Sequence, residues 1–388
     1  MIRKEGICAN SHIDGPRKAK ILQIGNYPPP ACGWAMQTRL LVEEIRRRGN
    51  ECQVLNINEN RKQKSNEYID VQNGIDYVHK LIRFARKGYH FQVHVNGQSR
   101  TGFVLALLAA LVGRLTGHPV TLSWRGGLHQ KYFPRPEDRL AGDAYRLLFR
   151  LSGQIVCNNM RVKQAIEHYG IEPDRVVAIP AFSKQHLEFQ RLPLAREVEA
   201  FLNSHRPVFF CYVSFRPEYR LPMLREAMKK IRQTYSQAGF VWLGFPSNEL
   251  PHVHKFVADW PAHELESLLL LGNLTHDVFL TLLSRCFAYI RTPVCDGVSS
   301  SVFESLALGI PVVASENYNR PPRVVTYRDD DVADLYEKLS FLTEQYGRVK
   351  EQTRLEGVED NIERTVDWLL GESVRNPQES NRRLAHAD

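Results

Sequence analysis

The chain has 388 residues, 43% of them hydrophobic and 24% charged, a globular composition with length for two cores rather than one. Its formal net charge of +8 favours anionic partners, whether nucleotides, nucleic acid or an acidic membrane surface. Seven scattered cysteines with no Cys-x-x-Cys argue against a disulfide framework or a zinc site and for a reducing compartment.

Residues 1–18 are polar, lack the apolar core of a signal peptide and read as a loose leader. ILQIGNY (21–27) is the first apolar run. It ends in the loop PPPACGW (28–34), and a helix follows with Met36, Leu40, Leu41 and Ile45 on one face and Arg46–Arg48 before Gly49 at its end. Further strands are expected at 51–57, 91–97, 120–126, 154–159 and 176–181, with helices at 74–86, 102–115, 141–152 and 161–169. FVLALLAALV (103–112) is too short for a bilayer, which needs about 20 apolar residues. A cytoplasmic protein is therefore expected, with peripheral contact at the inner face of the membrane left open.

Residues 183–206 carry charges without a clear strand and read as a connection. The alternation then resumes with strands at 207–213, 240–245, 266–273, 287–292 and 310–315, and helices around 221–235, 331–343 and 346–370. Strand and helix alternating in this way imply two α/β domains, each a doubly wound parallel sheet, facing across a cleft. The divisions expected are an N-terminal domain at 1–188, a C-terminal domain at 189–345, a helical segment at 346–372 and a disordered polar tail at 373–388.

The chemistry concentrates in FAYIRTPVCDGVSSSVFESLALGIPVVAS (287–315). Two buried-strand runs flank a helix that begins near Ser300 or Ser301 and ends at Gly309 and Pro311. The loop Asp296-Gly297-Val298-Ser299-Ser300 places consecutive backbone amides at that helix N-terminus, where the dipole favours a phosphate. Asp296 and Glu304 stand eight residues apart. Ser301 to Glu304 also fits a capping box, which needs no ligand.

This stretch resembles the Glu-x7-Glu signature of retaining glycosyltransferases of family 4, with Asp296 in the first place and LALGIPVVAS as the usual continuation. The resemblance covers most of residues 20–370 and implies the GT-B fold, with nucleotide-diphosphate-sugar donor bound by the C-terminal domain and acceptor by the N-terminal one. It implies that residues 346–372 cross back to the N-terminal domain. Pro28–Gly33 is similar to the family's PP-x-x-GG loop, with Cys32 for the first glycine, so Gly33 is a donor-phosphate candidate; its bland alternative is a tight turn. Arg125 stands where relatives carry a histidine beside the transferred sugar. It is a candidate for an anionic group or a plain interdomain arginine, and His129 is a second candidate for the lost histidine role. Arg216 and Arg220 stand near the family's Gly-Arg and Lys positions and are expected to clamp the diphosphate, unless they are ordinary solvated charges. Asn273 and Leu274, in LGNL (271–274), match the turn whose backbone reads the nucleobase.

By resemblance, Glu304 holds the ribose and Asp296 the donor-sugar hydroxyls, while the amides of Gly297, Val298, Ser299 and Ser300 stabilise the leaving diphosphate. No cofactor and no metal is expected, because cationic side chains take the metal's place. The acceptor expected is a glycan or lipid-linked glycan in surface polysaccharide assembly. Nucleic acid is not expected as a partner, since no motif supports it. Basic segments 80–90 and 146–153 either touch an anionic membrane or pack as amphipathic helices. The competing readings are a nucleotide-sugar epimerase or phosphorylase on the same plan, and a binding protein without catalysis.

Overall fold

The computed structural model describes residues 18–29, 33–353 and 357–371. The leader, residues 30–32 of the proline loop and the polar tail fall outside these, apart from Lys18 at the leader's end. The first sheet is built from β1 (Lys20–Gly25), β2 (Glu51–Asn56), β3 (His90–Val95), β4 (Thr121–Trp124), β5 (Gln154–Cys157) and β6 (Val176–Ala178). Its helices are α1 (Gly33–Arg47), α2 (Gly74–Arg86), α3 (Arg100–Leu115), α4 (Arg139–Leu151) and α5 (Met160–Glu167). All its strand pairs are parallel, in the order β2-β1-β3-β4-β5-β6. Strands covered by helices on both faces must be apolar throughout, and β1 accordingly buries every residue from Ile21 to Gly25.

After α6 (Arg196–Ser204) the plan repeats. The second set of strands is β7 (Val208–Tyr212), β8 (Gly239–Leu243), β9 (Leu268–Gly272), β10 (Ala288–Arg291), β11 (Val312–Ser315) and β12 (Val325–Tyr327). They form a second parallel sheet, ordered β12-β11-β10-β7-β8-β9. Between them run α7 (Leu221–Thr234), α8 (Leu250–Val257), α9 (Ala262–Leu265), α10 (His276–Leu283), α11 (Ser300–Ala307) and α12 (Val332–Glu344). In each sheet the strand order reverses once, between β1 and β3 and between β7 and β10. Successive helices leave on opposite faces at such a point, which opens a crevice at the carboxyl ends of the strands. β12 and α8 to α10 were not anticipated, being too short to show a period.

The C-terminal segment is not one helix. α13 (Tyr346–Thr353) stays with the second domain, where Tyr346 stacks on Phe287 at 4.1 Å and Val349 joins the core. α14 (Asn361–Leu370) packs on the first domain, with Ile362, Val366 and Leu369 against Ile21, Val42 and Ile45. Arg48 Nη1 pairs with Asp367 Oδ1 at 2.6 Å. The two basic segments bury Leu81, Phe84, Leu148 and Phe149 against the first sheet, the packing role of amphipathic helices. No helix among the described residues is long and apolar enough to cross a membrane. Ile362 is 1% exposed, and Ile362→Ala is expected to cost about 2–5 kcal/mol in urea denaturation through the cavity it leaves.

Candidate active site

Loops at the carboxyl ends of both sheets enclose a cavity of about 300 Å³ between the domains, within the size range of small-molecule sites. Two glycine-bearing loops touch across it. A Cβ on Gly127 would lie 2.4 Å from the Asp296 carbonyl oxygen, and one on Gly297 would lie 2.7 Å from the Gly126 carbonyl. Any side chain at either position would push the domains apart. Gln130 Nε2 donates to the Cys295 carbonyl, adding a polar link between the same loops.

Gly297, Val298, Ser299 and Ser300 all line the cavity. The N-cap of α11 is Ser299, whose side chain makes no capping bond. The backbone N–H groups of residues 297–301 donate to nothing among the described residues. Five amides at a helix N-terminus thus remain available to an anion, with the helix dipole behind them. Gly33, the first residue of α1, brings a second helix N-terminus against the first: a Cβ there would lie 3.3 Å from Ser300 Oγ.

Glu304 is the fifth residue of α11, because the helix begins at Ser300. The capping-box geometry, which needs it at the third position, is not formed. Ser301 Oγ bonds instead to Tyr289 Oη at 2.7 Å. Glu304 is 5% exposed, lines the cavity and accepts from His276 Nε2 at 3.0 Å through Oε1, leaving Oε2 without a donor among the described residues. Its neighbour His186 is held neutral by burial, against the pull of Glu304. His186 Nδ1 lies 3.2 Å from the Ser183 amide nitrogen and 3.1 Å from the Ser183 carbonyl oxygen, and Nε2 is buried without a partner among the described residues.

Asp296 is held by two arginines of its own domain. Its carboxylate is gripped by Arg291, through Nη2 to Oδ1 at 2.6 Å and Nε to Oδ2 at 2.8 Å, and by Arg320 Nη1 to Oδ2 at 3.1 Å. Burial alone would raise this carboxyl, but Arg291 and then Arg320 outweigh it and hold it below the usual range. Arg291 also lies over the rings of Tyr212 and Tyr219, at 5.6 and 5.4 Å. With both oxygens committed, Asp296 anchors the loop that carries the free amides.

Arg216 and Arg220 do not line the cavity. Arg216 Nε pairs with Glu249 at 3.3 Å, while Glu249 also accepts from Ser214 Oγ and the Phe215 amide. Arg220 pairs with Asp329 at 2.9 Å. Each thus pairs with a carboxylate of its own domain, while the guanidinium that lines that side of the cavity is Arg291. His129 is exposed at φ 62° and also lies outside the cavity. Arg125, Asn273 and Leu274 line it as expected. Sequence reasoning missed Arg291, Arg320, His276, His186 and Gln37. An arginine ending a buried strand five residues before an aspartate was the one legible signal among them. Among the described residues, no three His, Cys, Asp or Glu side chains are grouped to hold a metal.

No protein-family model matches the chain, and no curated protein matches it in sequence. Solved structures do match in shape. The Anabaena protein HepE, in complex with UDP and glucose, superposes with a TM-score of 0.64 at 13% identity, covering 91% of this chain and 99% of that one. A UDP-N-acetylglucosamine 2-epimerase candidate from Listeria monocytogenes gives 0.64 at 14% identity, covering 93% and 99%. A glycosyltransferase from Rickettsia africae gives 0.62 at 13%, covering 90% and 97%. The fold is GT-B, two Rossmann-like domains with the cavity between them.

The ion triad sets a pH dependence. A carboxyl depressed in the folded state contributes stability that is complete above the unfolded value of about 4 and is lost as pH falls through the folded one. Asp296→Asn is expected to cost about 3–5 kcal/mol at pH 7, because it leaves two arginines without their counter-charge. The gap between wild type and variant should narrow below about pH 4, as read by urea denaturation at several pH values.

Proposed function

We propose that this chain is a retaining glycosyltransferase that moves a sugar from a nucleotide-diphosphate-sugar donor to a glycan or lipid-linked glycan, in the manner of family 4. The observation that carries the reading is the pairing of Glu304, turned into the cleft and not used as a cap, with five free amides at the start of the same helix. Neighbours of this shape have been solved with UDP, and HepE with UDP-glucose, which supports a nucleotide-sugar donor here.

In this reading Glu304 Oε2 accepts from the ribose hydroxyls while His276 holds its other oxygen. The diphosphate sits at residues 297–301, with the first turn of α1 opposite. As the anomeric C–O bond breaks, charge grows on the leaving phosphate oxygen, and the preorganised amides stabilise it without reorientation. The acceptor oxygen bonds to the same carbon on the same face, and its proton passes to the departing phosphate. Neither a protein nucleophile nor a metal is required by this route, and turnover in EDTA is expected. Asp296 acts through the loop, not by touching the sugar.

The epimerase reading also has support, since solved structures carrying that name share the fold with TM-scores of 0.61 to 0.64. Inverting a sugar carbon requires a base to take its proton. Among the described residues three acids line the cavity, all from the second domain: Asp296 is committed to its arginines and Glu304 to His276, which leaves Glu218 as the candidate base. Same-face transfer needs no such base.

The test is incubation with nucleotide sugars and simple acceptors in D2O with EDTA. A glycoside of retained anomeric configuration is expected, with no deuterium at the sugar carbons. Deuterium at C2 and no glycoside would establish the epimerase instead. Glu304→Ala is expected to lower kcat/KM roughly 10- to 150-fold, the loss of hydrogen bonds to a charged group worth about 1.5–3 kcal/mol.

A further inference from the structure

The first domain's wall of the cavity carries donors that no described residue satisfies. Arg125 leaves β4 beside Trp124, which is fully buried and packs tilted against Phe133 with ring centroids 4.3 Å apart, so its loop is fixed by an aromatic core. Arg125 Nε donates to His94 Nδ1 at 3.3 Å. His94 Nε2 therefore carries the proton and donates to Gln23 Oε1 at 2.8 Å. Gln23 passes on to Gln92 at 2.7 Å, and Gln92 to Ser123 Oγ at 2.8 Å. Burial, reinforced by Arg125, keeps His94 neutral. Every member of this chain behind the guanidinium is buried and uncharged.

That relay orients Arg125 without neutralising it. No carboxylate lies within ion-pair distance among the described residues, and Nη2 is buried with no hydrogen-bond partner. Burial lowers the guanidinium only to about 10, so it stays charged at neutral pH. The other two arginines near the cleft, Arg291 and Arg320, share Asp296. Gln37, one turn into α1, is 1% exposed and lines the same cavity, yet neither its amide nitrogen nor its oxygen has a partner among the described residues. A buried guanidinium nitrogen and a buried amide are normally satisfied; here Arg125 Nη2 and the Gln37 amide are both left for a ligand.

We propose that Arg125 and Gln37 form a subsite for an oxoanion on the acceptor, so that the acceptor is an acidic sugar bearing a carboxylate or a phosphate. The inference rests on the transferase reading given above. A guanidinium fork matches the two oxygens of such a group, and the Gln37 amide in the same cavity can donate to the acceptor while accepting from a sugar hydroxyl. The donor's diphosphate already has its amides on the opposite domain, which leaves this wall to the second substrate.

The test uses the full chain in EDTA with the nucleoside diphosphate that most raises its melting temperature. Methyl glucuronide, glucose 6-phosphate and methyl glucoside are titrated by ligand-observed NMR. At least one acidic probe is expected to bind tenfold or more tightly than the neutral glucoside. Which one binds separates carboxylate from phosphate. Arg125→Gln should reduce that binding to the neutral level while the nucleotide shift persists, and Arg125→Lys should retain part of it. Equal binding of the neutral glucoside, no binding of either acid, unaltered binding in Arg125→Gln, or loss of the nucleotide shift in that variant would each overturn the proposal. Should Arg125→Gln not fold, the wild-type ratio and Arg125→Lys still decide. If no nucleoside diphosphate shifts the wild type, the transferase reading fails, and the acidic probes titrated alone still report on Arg125.

Discussion

The site depends on one buried carboxylate held by two arginines. Asp296 ends the approach from β10, and its grip on Arg291 and Arg320 fixes where residues 297–301 turn into α11. Two positive charges against one negative leave a net positive group beneath the free amides. The three side chains are largely buried, so that charge acts at short range and reduced dielectric on whatever anion the loop receives. Buried ion clusters seldom raise stability over an apolar core, but they fix geometry, and a loop meant to present amides needs its geometry fixed.

The same loop is where the two domains meet. The backbone of Asp296 and Gly297 lies against Gly126 and Gly127, with Asn159 Nδ2 also reaching the Gly297 carbonyl at 3.4 Å. Arg125 stands immediately before this contact. The carboxylate that anchors the amide-bearing loop and the unpaired guanidinium of Arg125 are therefore separated by two glycines and held in one register. α14 adds a second tie, returning from the C-terminal domain to α1. Transfer between two substrates requires such fixed juxtaposition, because misplacing either by an ångström forfeits much of the gain from proximity.

Much of this was legible in the residues. Unbroken apolar runs such as FVWLGF and IPVVAS can only be strands covered on both faces, so the doubly wound architecture followed from composition and spacing. The amide-rich loop was legible because glycine and serine precede a helix. Glu304 was ambiguous, since SVFE (301–304) satisfies both a capping box and a cleft residue, and a shift of the helix start to Ser300 decides between them. Arg216 and Arg220 could not be placed from sequence. Their partners Glu249 and Asp329 lie 33 and 109 residues away, and only the tertiary fold brings them together. The Arg125 relay was equally hidden, because it links strands β1, β3 and β4 through side chains that read individually as odd polar residues in a core.

The most direct measurement is amide hydrogen exchange of the full chain with and without a nucleoside diphosphate, resolved at residues 33–37 and 297–301. The account predicts slower exchange at both helix N-termini on addition of the nucleotide, with protection at 297–301 the stronger, because those amides have no partner until an anion arrives. Protection confined to other segments, or none with any nucleoside diphosphate, would contradict it.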